Sequence, residues 1–380
     1  MSESEIDGVL RAAVAAGGVP GVVAAVTDRR RVIYRGAFGF ADASTRRALQ
    51  PNSVFRIASM TKLATSIAVL QLRDLDLVDL DAPFAHCYRE FRQPPVLRSF
   101  DPVTLQYQTS PASGEVTVRQ LLTHTSGFGY WFLNPELRAL MGSAEPEYYN
   151  PPFLLSEPGK RFQYSISTDV LGQLVAPVSG RTLQELFARQ LFGPLGMRDT
   201  SYGVPPEAGR LVALHTAARA GFIVAPNERE GEAPRGGGGL YSTAEDYAAL
   251  LRMLLNDGRV RSREHLARDT VREMVTNQIG ALPVPRQTTA APERTADFAF
   301  MDGTQKFGLG VLLETRSRPD GRAAGSYSWA GIFNTYFWVD PAAEVAAVIC
   351  MQMSPFCAPA CLDLCAAFER ALYRRLGLHK

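Results

Sequence analysis

Ser59 and Lys62 stand three residues apart at the head of an apolar stretch, FRIASMTKLATSIAVL, residues 55–70. That spacing puts both side chains on one face of a helix, with Cβ atoms about 5–6 Å apart. A serine hydroxyl is a weak nucleophile until a neighbour takes its proton. A lysine amine, with an ordinary pKa of about 10.4, can take it only where the surroundings disfavour the ammonium form. The apolar run after Lys62 supplies such surroundings. The start of the helix adds N–H donors and a positive dipole end, which suit a developing oxyanion. The chain has four lysines (Lys62, Lys160, Lys306, Lys380) against 36 arginines and 22 serines. Chance then gives roughly 0.2 Ser-x-x-Lys occurrences, and the single one present opens this helix. Spacing alone leaves an equal alternative, a first-turn lysine that snorkels to solvent.

Two further stretches bear on that choice. In FQYSISTDVLG, residues 162–172, Tyr164 follows a Pro158-Gly159 turn and precedes an apolar helix. A phenol near a cation titrates below its usual value of about 10 and can pass a proton to a leaving group. Taken alone, a core tyrosine is the commoner reading. In SWAGIFNTYFWVDP, residues 328–341, Gly331 interrupts a strand. A glycine there weakens the strand and makes sense where a ligand must approach the backbone closely.

Taken together, these stretches resemble the serine hydrolase family that contains class C β-lactamases, DD-peptidases and family VIII carboxylesterases. Ser59-Met60-Thr61-Lys62 matches its SxxK motif. Tyr164-Ser165-Ile166 stands where the lactamases carry Tyr-x-Asn, and Trp329-Ala330-Gly331 where they carry Lys-Thr-Gly. LLTHTSG and GGGGLYST are similar to further landmark stretches. Three motifs in this order are a strong signal. The resemblance implies Ser59 as the acylated nucleophile, Lys62 as its proton acceptor and Tyr164 as partner general base and acid. It implies an oxyanion hole from the backbone N–H groups of Ser59 and Ile332.

The departures from the lactamase pattern point to the esterase branch. Ile166 replaces the side-chain amide that holds a substrate amide. Trp329 replaces a lysine that helps bind a substrate carboxylate, a charge-assisted contact worth about 1.5–3 kcal/mol. Trp329, Ala330, Gly331, Tyr130, Trp131, Phe132, Ile166, Phe333 and Tyr336 are the candidate substrate-pocket residues. The expected activity is hydrolysis of small, short-acyl carboxylic esters, with no metal or cofactor required. A lactamase or peptidase, an acyltransferase and a non-enzymatic binding protein on the same fold are the alternatives.

The elements that must position these residues can be traced along the chain. Residues 4–16 form an amphipathic helix. GVVAAVTD and RVIYRGAFGFAD read as a hairpin. The polar stretch SFDPVTLQYQTSPASGEVT suggests a loop with a small hairpin. TVRQLLTHTSGFG and TLQELFARQLFGPLG are helices stopped by glycine. Ser242 or Thr243 caps a helix that ends at Asp257-Gly258. Residues 276–305, rich in Pro, Thr and Ala, are expected to form a surface loop. FGLGVLLET, SYSWAGIFNTYFWVDP and EVAAVICMQM suggest an antiparallel meander, and a closing helix follows. The expected class is α/β: one antiparallel sheet built from both chain ends and flanked by helices, with a mostly helical insertion. The boundaries predicted are 1–75 with 206–380 for the α/β part and 76–205 for the helical part, with the active site at their interface.

Composition bounds the rest. The 380 residues are 46% hydrophobic and 21% charged, with a formal net charge of +2. Nothing in that balance points to nucleic acid or to a membrane surface. A small-molecule ester is the expected partner, and oligomeric state is not legible. The acidic start, MSESEIDGVLRAAVAAGG, does not read as a signal peptide, so a cytoplasmic location is expected. Cys357, Cys361 and Cys365 recur every four residues, a spacing expected to pack one face of a helix against a sheet. The five cysteines do not suggest a disulfide framework. His124 in THTSG is expected to be structural. The other histidines (His86, His215, His265, His379) lack metal-like spacing. Asp169 is read as a backbone partner, and Gly236–Gly239 as tight packing beside the site.

Overall fold

The protein is described here by a computed structural model that covers residues 4–141, 152–203, 208–219, 221–225 and 234–378. His379 lies outside them. Among the described residues, eight strands make the main sheet: β1 (Gly21–Asp28), β2 (Val32–Asp42), β3 (Arg47–Ala48), β4 (Lys306–Phe307), β5 (Leu312–Leu313), β6 (Tyr327–Gly331), β7 (Thr335–Asp340) and β8 (Val345–Cys350). Their spatial order is β4-β5-β6-β7-β8-β1-β2-β3, antiparallel throughout. The join between β1 and β8, with Val23 opposite Cys350 and Asp28 opposite Val345, ties the two ends of the chain together. SYSWAGIFNTYFWVDP is two strands, β6 and β7, with Gly331 opposite Thr335 at the turn.

β1 is buried over seven of its eight residues because helices cover both faces of the sheet. Side chains alternate along a strand. Val22, Ala24 and Val26 therefore meet Ile6 and Leu10 of α1 (Glu5–Ala15), and Leu364, Phe368 and Leu372 of the closing helix. Val23 and Ala25 face the opposite core, which holds Tyr247, Leu251 and Leu254 of the helix Ala244–Leu255. Thr243 caps that helix by accepting a hydrogen bond from the Asp246 amide.

Among its described residues, the stretch 76–205 carries short helices and one hairpin, Pro95–Phe100 with Tyr107–Pro111. Three expectations need correcting. The helix Val118–Leu122 ends before any glycine, because His124 adopts φ +54° and lets the Thr125 amide reach the Gln120 carbonyl. Cys357 precedes the closing helix Pro359–Arg375, so only Cys361 and Cys365 lie on it. The stretch 276–305 is not a plain surface loop. Val284, Ala291, Phe298 and Met301 are buried, and the Ala290 amide donates to the Phe132 carbonyl.

No helix among the described residues is long and apolar enough to cross a membrane.

Candidate active site

Ser59 sits in a single 3-10 turn, Ala58–Met60, that runs directly into the helix Thr61–Asp74. The turn is held from three sides. The Ile57 amide donates to the Leu240 carbonyl, the Tyr247 hydroxyl to the Met60 carbonyl, and the Thr335 hydroxyl to the Ile57 carbonyl. Ala58 is thereby kept at φ +45°, a conformation costly for a residue with a Cβ. Such strain persists only where the surroundings over-determine it, and here it sits directly before the serine.

Every residue of the helix from Thr61 to Leu72 is buried, Lys62 included, at 2% exposure. The snorkelling alternative therefore does not hold. Lys62 Nζ lies 3.1 Å from Ser59 Oγ, 2.9 Å from the Tyr130 hydroxyl and 2.6 Å from the Gly237 carbonyl. All three partners are uncharged oxygens. The rings of Tyr130 and Tyr164 flank the amine at 5.3 and 5.2 Å.

Tyr164, just before the helix Ser167–Gln173, donates from its hydroxyl to Ser59 Oγ at 2.7 Å. Ser59, Lys62 and Tyr164, read from the sequence as one machine, are thus in mutual contact. Ile332 follows the end of β6 beside the serine turn. Gly331 is required there by packing. A Cβ on it would lie 2.3 Å from the Ile57 carbonyl oxygen and 2.4 Å from Thr335 Oγ1. The protein's own Ile57 carbonyl and Thr335 hydroxyl already make a close approach to it.

The cleft over Ser59 encloses about 270 Å³, counting its open mouth. It is lined by Ser59, Phe132, Tyr164, Phe298, Phe300, Trp329, Ala330, Ile332 and Phe356, with no charged side chain among them. Three of the nine residues expected to form the pocket therefore line it, Phe132, Trp329 and Ala330, and they are joined by Ile332, which was expected as an oxyanion donor.

Other expected pocket residues are placed elsewhere. Trp131 packs with Leu137, Phe153 and Ala291 under the Arg138 guanidinium. Ile166 is buried in the main core at the start of the helix Ser167–Gln173. Phe333 lies in the turn after Gly331, where its carbonyl accepts from the Met353 amide. Tyr336 stacks behind Phe356 and donates to Asn334. Tyr130 turns its hydroxyl to Lys62 instead of lining the cleft. Sequence reasoning missed Phe298, Phe300 and Phe356. The first two lie in the Pro- and Thr-rich stretch read as surface, where the motif FAF was the available signal.

His124 stays outside the reacting group. Its Nδ1 pairs with Ser165 Oγ at 3.2 Å, and its ring packs against Tyr164 and Trp329. Burial, reinforced by the nearby Lys62, holds its pKa well below the ordinary histidine value. The glycine run packs as expected. A Cβ on Gly236 would meet the Thr168 carbonyl at 2.2 Å, and one on Gly237 would meet the Asp169 carboxylate at 2.3 Å.

A serine, a buried lysine and a tyrosine thus converge beside β6 of an antiparallel sheet with helices on both faces, a fold of the β-lactamase and penicillin-binding-protein type. The chain belongs to the β-lactamase family, whose model matches residues 6–363. It is 29% identical over 351 residues to monacolin J acid methylbutanoyltransferase of Aspergillus terreus, covering 86% of this chain and 83% of that protein. It is 28% identical over 403 residues to lovastatin esterase of Penicillium rubens, covering 99% of each. A solved mutant of simvastatin synthase from Aspergillus terreus superposes with a TM-score of 0.83 at 28% identity, over 98% of this chain and 94% of that one. Homologues of this kind support serine hydrolase or acyltransferase activity.

Proposed function

We propose that the protein is a serine carboxylesterase of the family VIII type, acting on small, neutral, short-acyl esters through an acyl-serine. The observation that carries the reading is the Ser59 hydroxyl held at once by Lys62 and Tyr164 beneath an aromatic, uncharged cleft. Ser59 Oγ attacks the ester carbonyl while Lys62, with Tyr164, removes its proton. The oxyanion is received by the N–H groups of Ser59 and Ile332. Tyr164 protonates the departing alcohol, and water then attacks the acyl-enzyme. The division into 1–75 with 206–380 and 76–205 belongs to this reading, since it brings Ser59 and Lys62 from one part against Tyr130 and Tyr164 from the other. A cytoplasmic setting also fits it, in keeping with five unpaired thiols.

A substrate carboxylate finds no cationic side chain lining the cleft, which disfavours penicillins and peptides. Acyl transfer to an alcohol is the second reading. It is favoured by the similarity to a methylbutanoyltransferase and to simvastatin synthase, and differs only in what takes the acyl group from Ser59.

The test is turnover of a chromogenic butyrate ester and, separately, of a chromogenic cephalosporin, by the protein and by Ser59→Ala. Ester turnover that disappears in the variant, with an acyl adduct on Ser59 by mass spectrometry, is the expected result. Lactam turnover far faster than ester turnover overturns the ranking, and absence of both turnover and adduct overturns the enzyme. Adding an alcohol acceptor separates transfer from hydrolysis through the product ratio.

A further inference from the structure

Asp169 lies five residues after Tyr164, on the first turn of the helix Ser167–Gln173, and does not contact Ser59 or line the cleft. Its carboxylate accepts two hydrogen bonds, from the Gly237 amide to Oδ1 at 2.9 Å and from the Tyr130 hydroxyl to Oδ2 at 3.4 Å. The same two groups, Gly237 through its carbonyl and Tyr130 through its phenol oxygen, receive the Lys62 amine. One side chain therefore grips both arms that hold the lysine.

The consequence follows from hydrogen-bond polarity. A carboxylate offers acceptors only, so a tyrosine hydroxyl that faces it must point its proton toward it. The Tyr130 oxygen is then left with lone pairs toward Lys62. Burial first, and the Asp169 charge next, push the Tyr130 pKa well above the ordinary phenol value, so this hydroxyl keeps its proton. The peptide at Gly237 is oriented in the same sense, with its N–H on Asp169 and its carbonyl on Lys62. A neutral amine has two N–H bonds and one lone pair. With both N–H bonds directed at Tyr130 and Gly237, the lone pair is left facing the third neighbour, Ser59 Oγ, where a base must present it. The titratable groups around the amine are Tyr130, Tyr164, His124, Asp169 and Arg235.

We propose that Asp169 is a positioning residue that fixes the direction of the Lys62 amine by clamping the Tyr130 hydroxyl and the Gly237 peptide. The proposal rests on the reading of Lys62 as the proton acceptor of Ser59. The contact is close enough to dictate composition, since any Cβ at Gly237 would collide with the Asp169 carboxylate.

The test compares Asp169→Asn, Asp169→Glu and Tyr130→Phe with the unaltered protein by butyrate-ester kinetics and by crystal structures. Asparagine keeps an acceptor for Gly237 but can put an N–H against Tyr130, reversing the polarity of that arm at nearly constant shape. Expected is a fall of about 10- to 100-fold in kcat with KM within twofold, a comparable fall in Tyr130→Phe, and partial recovery in Asp169→Glu. The Lys62 Nζ to Ser59 Oγ distance in Asp169→Asn should lengthen beyond hydrogen-bond range. A kcat within twofold of the unaltered protein, or an unmoved amine, overturns the proposal. So does a fall in Asp169→Asn that appears wholly in KM. If the unaltered protein turns over no ester, the esterase reading fails, and the crystal structures still decide whether Asp169 orients the amine. If Asp169→Asn does not fold, the Tyr130→Phe structure and its KM-against-kcat split decide for the hydroxyl arm.

Discussion

Gly331 lies so close to the Ile57 carbonyl that a methyl group on it would sit 2.3 Å from that oxygen. The contact joins the end of β6 to the turn that carries Ser59. Gly331→Ala must therefore displace one of the two. The expected cost is about 1–3 kcal/mol of stability, as for overpacking in a core. A loss of ester kcat should accompany it, because the N–H groups of Ser59 and Ile332, proposed above as the oxyanion donors, would be moved relative to each other. Thermal melting and kinetics on the same sample check both. An alanine variant with native activity would show that the two segments can slide apart harmlessly.

Tyr164 reaches Ser59 at 2.7 Å while its ring is wedged among Trp329, Tyr130 and Phe298. Tyr164→Phe keeps that packing and removes the hydroxyl. If the phenol carries the proton to the alcohol, kcat should drop roughly 10²- to 10⁴-fold, the usual weight of general acid–base help. Esters with acidic leaving groups, which need less protonation, should lose less than alkyl esters. Equal losses for both would assign Tyr164 to holding Ser59 rather than to protonating the alcohol.

Phe298 stacks with Phe300 and meets Phe356 edge-on at 5.0 Å, closing one side of the cleft. Phe298→Leu should raise kcat/KM for octanoate relative to butyrate esters. Phe298→Ala should do so further, at about 3–5 kcal/mol of stability. An unchanged octanoate-to-butyrate ratio in both would mean that the acyl chain lies elsewhere.

These three residues also mark how far the sequence could be read. Ser59, Lys62 and Tyr164 were legible because each sits at the start of a helix or in a turn whose signals are local. The sheet was legible because its strands are long apolar runs at both chain ends. Phe298 and Phe300 were not, because their segment has no regular element. Loop conformation depends on distant partners, here the Phe132 carbonyl and the 351–357 segment, and periodicity does not report on those. Tyr130 was legible as an aromatic near the site. Whether it faces substrate or Lys62 depends on Asp169, 39 residues away.

On the closing helix, Glu369 accepts from Arg322 through Nε at 2.9 Å and through a terminal nitrogen at 2.8 Å, and both side chains are buried. Burial alone would raise the carboxyl pKa, but the Arg322 charge prevails and holds it at about 2. A depressed acid contributes stability that is present above its unfolded value, about 4.3, and is lost as pH falls toward 2. Glu369→Gln leaves the guanidinium buried without its counter-charge, at an expected cost of about 3–5 kcal/mol near neutral pH. The gap to the unaltered protein should narrow in acid. Denaturant melts at pH 7 and pH 3 measure it, and a gap independent of pH would show that the charge is not what matters.

Asp246 behaves in the opposite sense. It sits in the first turn of the helix Ala244–Leu255 and accepts from the Asp199 amide and the Thr200 hydroxyl. Burial raises its pKa to about 6, the neighbouring charges of Asp199 and Glu245 adding to the rise against those two hydrogen bonds. The fold therefore favours the neutral form. Stability from this group is fully present below its unfolded value, about 3.9, and is lost as pH climbs through about 6. Asp246→Asn keeps an acceptor for both donors and removes the titration. Relative to the unaltered protein it should gain about 1–2 kcal/mol between pH 4 and pH 7, after allowance for partial exposure. The difference between the two stability–pH curves isolates the effect, because every other titrating group cancels. Parallel curves across that window would mean that Asp246 is already charged at pH 4 in the folded protein.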